Sequence, residues 1–313
     1  MDPSVTAGLP LSIVVLTFNE ERNLADCLES IAGLSAHVFV VDSGSTDGTL
    51  AIAAAHGAHI VAHPFESHAR QWQWALASLP FEHQWILALD ADQSLSPELR
   101  AAIAQKLTSW AGDAAPAGAY LNRRQIFRGR WIKHGAYYPK YLLKLFRRDA
   151  VSLDESDRVD HHFLVSGPTV TLDGDLIENN RNEAEISVWI GKHNRYAQLQ
   201  AAEEEARNRR APSGRPFGSP DEHTRWQKGL WNRLPLYVRP FLYFFYRYVI
   251  RLGFLDGKEG LIFHFMQACW YRLLVDINRD ELRRRIPPVG EPDRHPAGKP
   301  VGGDPPTRVR LQI

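Results

Sequence analysis

Short apolar runs alternate with helical patterns through the first third of the chain. Ser12 to Thr17, Val38 to Val41, Ala58 to Ala62 and Trp85 to Leu89 are runs bounded by polar clusters, which is how buried strands read. Helices are predicted between them. One covers Glu21 to Ile31, where Leu24, Leu28 and Ile31 fall on one face; others cover about Asp47 to His56 and His68 to Ala77. A further helix is expected after Ser96, which is placed to cap it, with Pro97 at its first position. Strands alternating with helices predict an α/β fold on a mostly parallel sheet.

The pattern then changes. From Ala117 to Leu172 the chain is richer in aromatic and basic residues, and β-like runs at Ala119 to Arg123, Leu142 to Phe146 and Thr169 to Leu172 predict strands that complete a cleft. A long helix from Ala184 to about Arg210 carries Trp189, His193, Tyr196 and Ala197 at helical spacing, until Ala211 to Pro216 breaks it. Two helical stretches over Trp226 to Arg285, parted near Gly253 to Gly260, precede a tail whose prolines and glycines predict disorder. The expected division is an α/β domain over residues 1–210, in parts 11–110 and 111–210, a linker at 211–224, a helical segment at 225–286 and a disordered tail at 287–313.

Composition narrows the class. With 44% hydrophobic and 23% charged residues the chain is that of a globular protein, and a net charge of +1 gives no overall field for nucleic acid. Cys27 and Cys269 lie far apart without CxxC spacing, so neither zinc nor a disulfide framework is expected and a reducing compartment fits. The first apolar run passes straight into Asn19-Glu20-Glu21-Arg22, which reads as a strand and not a leader, and Arg239, Arg247 and Arg251 interrupt the most apolar later stretch.

Ligands of open α/β sheets sit at the carboxyl ends of the strands. Here those ends read Thr17-Phe18-Asn19-Glu20, Asp42-Ser43-Gly44-Ser45-Thr46-Asp47-Gly48 and Asp90-Ala91-Asp92. An acidic rim of this kind repels a phosphate unless a hard cation stands between them, so the pattern calls for Mg²⁺ or Mn²⁺ and a nucleoside-diphosphate ligand. No GxGxxG follows the first strand, which disfavours a dinucleotide site. Arg147, following the apolar run Leu142 to Phe146, is expected at a strand end, holding the diphosphate or an anionic acceptor. Trp72 and Trp74 read as core, and Glu178 as a solvated charge in preference to a contact with acceptor or metal.

These segments resemble the family 2 glycosyltransferases, whose nucleotide-binding domain has the GT-A fold. The resemblance rests on Leu11 to Glu20, Val40 to Gly48 and Leu87 to Asp92. It implies that Thr17, Asn19, Glu20 and Asp42 line the base and ribose pocket, and that the Asp90-Ala91-Asp92 segment meets the ribose and diphosphate, Asp90 and Asp92 through the metal. A second resemblance, carried by Gly129 to Gly135, Tyr138 to Arg148, Trp189 to Ala197 and Gly253 to Gly257, is to bacterial enzymes of lipopolysaccharide core and exopolysaccharide assembly. Together they imply an inverting, metal-dependent transfer from a nucleotide-sugar, a UDP-sugar first among them, to a glycan or lipid-linked acceptor. Residues 11–110 then bind the donor and 111–210 face the acceptor.

The base is expected in Val159-Asp160-His161-His162-Phe163. Relatives tend to carry a carboxylate beside a histidine there, and this chain has His161 where Glu is expected, which leaves Asp160, His161 and the more remote Asp157 as candidates. From Arg225 to Arg285 there are twelve Lys and Arg, five Asp and Glu, and many aromatic rings. That mix on amphipathic helices suits an anionic membrane surface. Peripheral attachment to the cytoplasmic face of a bacterial inner membrane is therefore expected, with a helix pair packed on the catalytic domain, or a dimer interface, as the alternative. Two rival functions remain: a DxD phosphatase, disfavoured because its DxD belongs on the first strand, and a silent family member acting as a nucleotide-sugar-binding or membrane scaffold protein.

Overall fold

The computed structural model describes residues 9–110, 115–153, 162–208 and 234–285. Its centre is a sheet in the order β3-β2-β1-β4-β8-β6-β11-β5. The first four strands, β1 (Leu11–Thr17), β2 (His37–Asp42), β3 (His59–Ala62) and β4 (Trp85–Asp90), run parallel. Helices α1 (Leu24–Ile31), α2 (Thr49–Ala55) and α3 (His68–Ser78) connect them as expected, and α4 (Pro97–Ser109) follows. Ser96 accepts the Leu99 N–H at 3.2 Å and Pro97 opens the helix, so the capping expectation holds.

Every residue of β1 is buried, because helices cover both faces. Leu11, Ile13 and Val15 pack under α1 and α4, whereas Val14 and Leu16 pack under α3 around the fully buried Trp72. Each such aliphatic side chain contributes about 1.5–3 kcal/mol on burial.

The second half of the sheet is mixed. Strand β8 (Tyr141–Arg147) runs antiparallel to β4, β6 (Gly118–Phe127) antiparallel to β8, and β11 (Thr169–Glu178) parallel to β6. Strand β5 (Gln93–Leu95) begins three residues after Asp90, yet it pairs with β11 and not with β4. The sheet must therefore curl until its far edge meets the end of β4. Short β7 (Arg130–Trp131) pairs with β6, and β9 (Val151–Leu153) pairs with β10 (Phe163–Val165) in a separate ribbon.

Helix α5 (Ile186–Asn208) is the long helix that the spacing predicts, with Trp189 and Ala197 buried. The C-terminal segment comprises α6 (Arg239–Phe245), a π-helical turn (Tyr246–Ile250), α7 (Gly257–His264), a second π-helical turn (Phe265–Trp270) and α8 (Tyr271–Arg285). It packs on the rest of the chain: Ala197 and Ala201 of α5 share a core with Tyr271 and Val275 of α8. Among the described residues no helix is long and apolar enough to cross a membrane. The expected linker and tail lie outside the described residues.

Candidate active site

The parallel register brings Thr17, Asp42 and Asp90 to one edge: Thr17 pairs with Asp42, and Leu16 with Asp90. Thr17 Oγ1 donates to Asp42 Oδ1 at 3.3 Å, while Asp42 Oδ2 accepts the Gly44 and Ser45 N–H groups at 2.8 and 2.9 Å. Asp42 thus shapes the loop after β2. Asn19 sits at φ 55°, a left-handed conformation that Asn tolerates better than most residues. Its N–H donates to Ser45 Oγ at 2.8 Å and its Oδ1 accepts the Thr46 N–H at 2.8 Å, which joins the two strand-end loops. Phe18, between Thr17 and Asn19 in the chain, is largely exposed.

Beside this frame lies a cluster of carboxylates. The Asp90 carboxylate accepts from Lys144 Nζ of β8 at 2.8 Å. Glu178, at the end of β11, accepts from Gln93 Nε2 at 3.0 Å and from Arg123 at 3.3 Å. Glu20 accepts from Asn23 Nδ2 at 2.6 Å and Asn182 Nδ2 at 3.1 Å. Asp92 is half-buried in the midst of these groups. Its carboxyl stands well above the usual carboxylate range, pushed there by burial and then by repulsion from Glu178, Asp90 and Glu20, with Lys192 opposing. Glu20 is raised too, first by burial, against the pull of Asn23 and Lys192. Burial works to lower Lys192, but Glu183 and its other anionic neighbours overcome it and leave the ammonium raised. Below them the buried Cys27 thiol is pushed up by burial, then by Asp92, Asp90 and Glu20, which keeps it protonated and unreactive.

Residues 12–165 match the family model described as Glycosyl transferase family 2. Over that stretch, just under half of the chain, the protein is similar to the family 2 glycosyltransferases. The chain is 27% identical over 212 residues to the lipopolysaccharide core biosynthesis glycosyltransferase LpsC of Rhizobium meliloti, covering 61% of this chain and 76% of that one. An uncharacterized glycosyltransferase of Rickettsia conorii is 37% identical over 100 residues, and there the match spans only 34% of the relative. Among solved structures, the mannosyltransferase PcManGT from Pyrobaculum calidifontis, in complex with GDP-Man and Mn²⁺, is similar at 15% identity and TM-score 0.47, with 89% of each chain covered. S. aureus TarS 1-349 in complex with UDP is similar at 14% identity and TM-score 0.40, over 88% of this chain and 92% of that one. The α/β architecture, a curled, mostly parallel sheet with C-terminal helices, accords with the family match, and transfer of a glycosyl group is the role that this match supports.

Within the matched residues the structure gathers Thr17, Asn19, Glu20, Asp42, Asp90, Ala91 and Asp92 at one edge. Since Ser96 caps α4, neither Asp90 nor Asp92 is spent on capping. Arg147 is a correction. Because β8 runs antiparallel, Arg147 lies opposite Trp85, at the start of β4, about 17 Å along the strand from Asp90 at 3.3 Å per residue. It pairs there with Asp149 at 2.8 Å. Glu178 is the opposite correction, being part of the carboxylate cluster instead of a solvated charge. Asp160 and His161 lie outside the described residues, as does Asp157. Asn23, Lys144, Asn182 and Lys192 escaped the sequence reading. For Glu178 a signal existed, since Leu176-Ile-Glu178 before two asparagines repeats the apolar run ending in a carboxylate seen at Leu89-Asp90.

Proposed function

We propose that this chain moves a sugar from a nucleotide-diphosphate sugar, a UDP-sugar first among them, to a glycan or lipid-linked acceptor in bacterial cell-surface polysaccharide or lipopolysaccharide synthesis. Transfer proceeds with inversion, by direct attack of the acceptor hydroxyl on the anomeric carbon. The observation that carries the reading is the excess of carboxylates, among the described residues, at the carboxyl edge of a domain that matches family 2: Asp90, Asp92, Glu20 and Glu178 outnumber Lys144 and Arg123, and Lys192 is already paired with Glu183.

The donor set fits Mg²⁺ or Mn²⁺. It is all oxygen, it is partly buried, and repulsion holds Asp92 in a state that an added cation would relieve. Among the described residues no group of three or more His, Cys, Asp or Glu is arranged to hold a metal. Such ions ordinarily take one or two carboxylates and complete their shell with phosphate and water. Asp92 and Asp90 would hold the ion, which when bound neutralises charge on the departing diphosphate.

The remaining roles belong to the chain. Asp42 and Asn19 hold the loops that would line the nucleoside pocket, with Thr17 and Glu20 beside them and the Asp90-Ala91-Asp92 segment meeting the ribose and diphosphate. Asp160 accepts the acceptor proton, with His161 as the alternative. The lipopolysaccharide core role named for LpsC supports a site of action at the cytoplasmic face of the inner membrane, with peripheral attachment.

The test is a thermal-shift panel of nucleoside diphosphates and nucleotide-sugars with Mn²⁺, Mg²⁺ or EDTA, since a ligand of the native state raises the melting temperature by mass action. A metal-dependent rise with one nucleoside diphosphate is expected, and Asp160→Asn should keep the rise but lose sugar transfer. No rise with any donor would overturn the reading in favour of a silent scaffold.

A further inference from the structure

The C-terminal segment is built inside out. Arg239, Arg247, Asp256 and His264 are buried, whereas Phe241, Phe245, Ile250, Leu255, Leu261 and Phe265 face solvent, Phe245 at 54% and Ile250 at 58% exposure. Eleven of the 24 exposed large apolar side chains among the described residues fall between residues 241 and 265. They cover a helical hairpin whose arms meet through ring contacts, Phe244 with Phe265 at 5.7 Å and Tyr248 with Phe254 at 6.3 Å. Apolar surface this concentrated marks an interaction site.

Charge says what covers it. The exposed charged side chains of residues 241–265 are Arg251 and Lys258; Asp256 is buried and Glu259 half-buried. Loop 128–140 is fixed to the hairpin: Arg247 Nε donates to Gly135 O at 2.8 Å, Gly135 N to Arg251 O at 2.8 Å, and His134 N to Asp256 Oδ2 at 2.9 Å. That loop exposes Arg128, Arg130, Lys133 and Lys140, and no carboxylate occurs between Asp113 and Asp149. An apolar face whose exposed charges, among the described residues of the hairpin and loop 128–140, are all cations matches an anionic lipid surface. A second copy docked face to face would set these cations against their own images.

We infer that the outer face of residues 241–265, with loop 128–140 as its cationic rim, seats in the headgroup layer of an anionic lipid bilayer. This deepens the peripheral attachment proposed above and rests on it only for which membrane is meant. Loop 128–140 follows β6, whose residues 123–125 pair with the end of β11 beside Glu178.

The experiment is flotation of the full chain with phosphatidylcholine vesicles, with and without phosphatidylglycerol. The chain should float with the anionic vesicles and be released by salt. Phe245→Glu with Ile250→Glu should lower partitioning at least about tenfold at an unchanged melting temperature. Lys133→Glu with Lys258→Glu, which disturbs no apolar packing, should lower flotation with the anionic vesicles alone. Flotation of both variants like the parent would overturn the inference. So would a parent that floats with neither vesicle and runs as a dimer that the Glu pair dissociates. Flotation reads no sugar transfer, so a failed donor panel leaves this result standing.

Discussion

Two regions of this molecule bury charge, and they do so in opposite ways. At the C-terminal helices the charges are matched. Arg239 donates to Asp276 at 2.7 Å, and Arg279 reaches Glu204 at 2.7 Å and Glu205 at 2.8 Å, tying α8 to α5. At the carboxylate edge they are not, and Asp92 bears the consequence in its raised pKa. A fold that needs buried ions for its own cohesion pairs them, because an unpaired one is costly. An excess of one sign retained in a cleft is the mark of a site whose complement arrives from outside.

The comparison is most exposed to Arg239→Ala. The substitution strands Asp276, which is fully buried, and should cost about 3–5 kcal/mol of stability, measured by urea unfolding. A loss near zero would show that the matched network is ornamental. The second test uses pH. His264 is fully buried, its ring nitrogens have no hydrogen-bond partner, and burial followed by Arg247 lowers its pKa from 6.5 to about 4. The folded state keeps the ring neutral while the unfolded chain protonates near 6.5. Its stabilising contribution is therefore complete above that value and declines as pH falls from about 6.5 to about 4, by about 3 kcal/mol in all. Asp92 has the opposite sign: its pKa is raised, so its contribution is complete at low pH and lost as pH rises through the folded value. Denaturant titrations of the parent and His264→Leu across this range should differ by that slope; parallel curves would sink the assignment. The third test is Asp92→Asn. It should raise the metal-free melting temperature at neutral pH by relieving repulsion, abolish the metal-dependent nucleotide shift, and lower transfer by about a hundredfold. A destabilised variant with an intact shift would make Asp92 a member of a structural network like the other.

The limits of the sequence reading follow from the same physics. Strands β1, β2 and β4 were legible because each is an apolar run ending in polar residues, and the parallel order alone assembles Thr17, Asp42 and Asp90. Lys144 was not legible because its place depends on the direction of β8, which leaves no local trace, and the run ending in Glu178 could not be assigned to this edge because that takes β5 crossing to β11. The same blindness misplaced Arg147: an antiparallel strand reaches the opposite edge with an identical pattern. In the C-terminal segment the mixture of aromatic and basic residues was visible, but the side that each takes was not. The π-helical turns at Tyr246–Ile250 and Phe265–Trp270 break the 3.6-residue phase from which a face is read.

The link between Asp90 and Gln93 carries one more consequence. Ala91 and Asp92 are all that separates β4 from β5, although these strands stand four places apart in the sheet. Gln93 and Leu95 are buried with Ser94 between them half-exposed, so one inserted residue would turn that short strand over and swing Gln93 away from Glu178. The seam between the two halves is thus the one junction where a chimaera cannot be cut. Exchange of donor or acceptor preference between relatives has to be sought in the loops around it, with this two-residue hinge pin left at its native length.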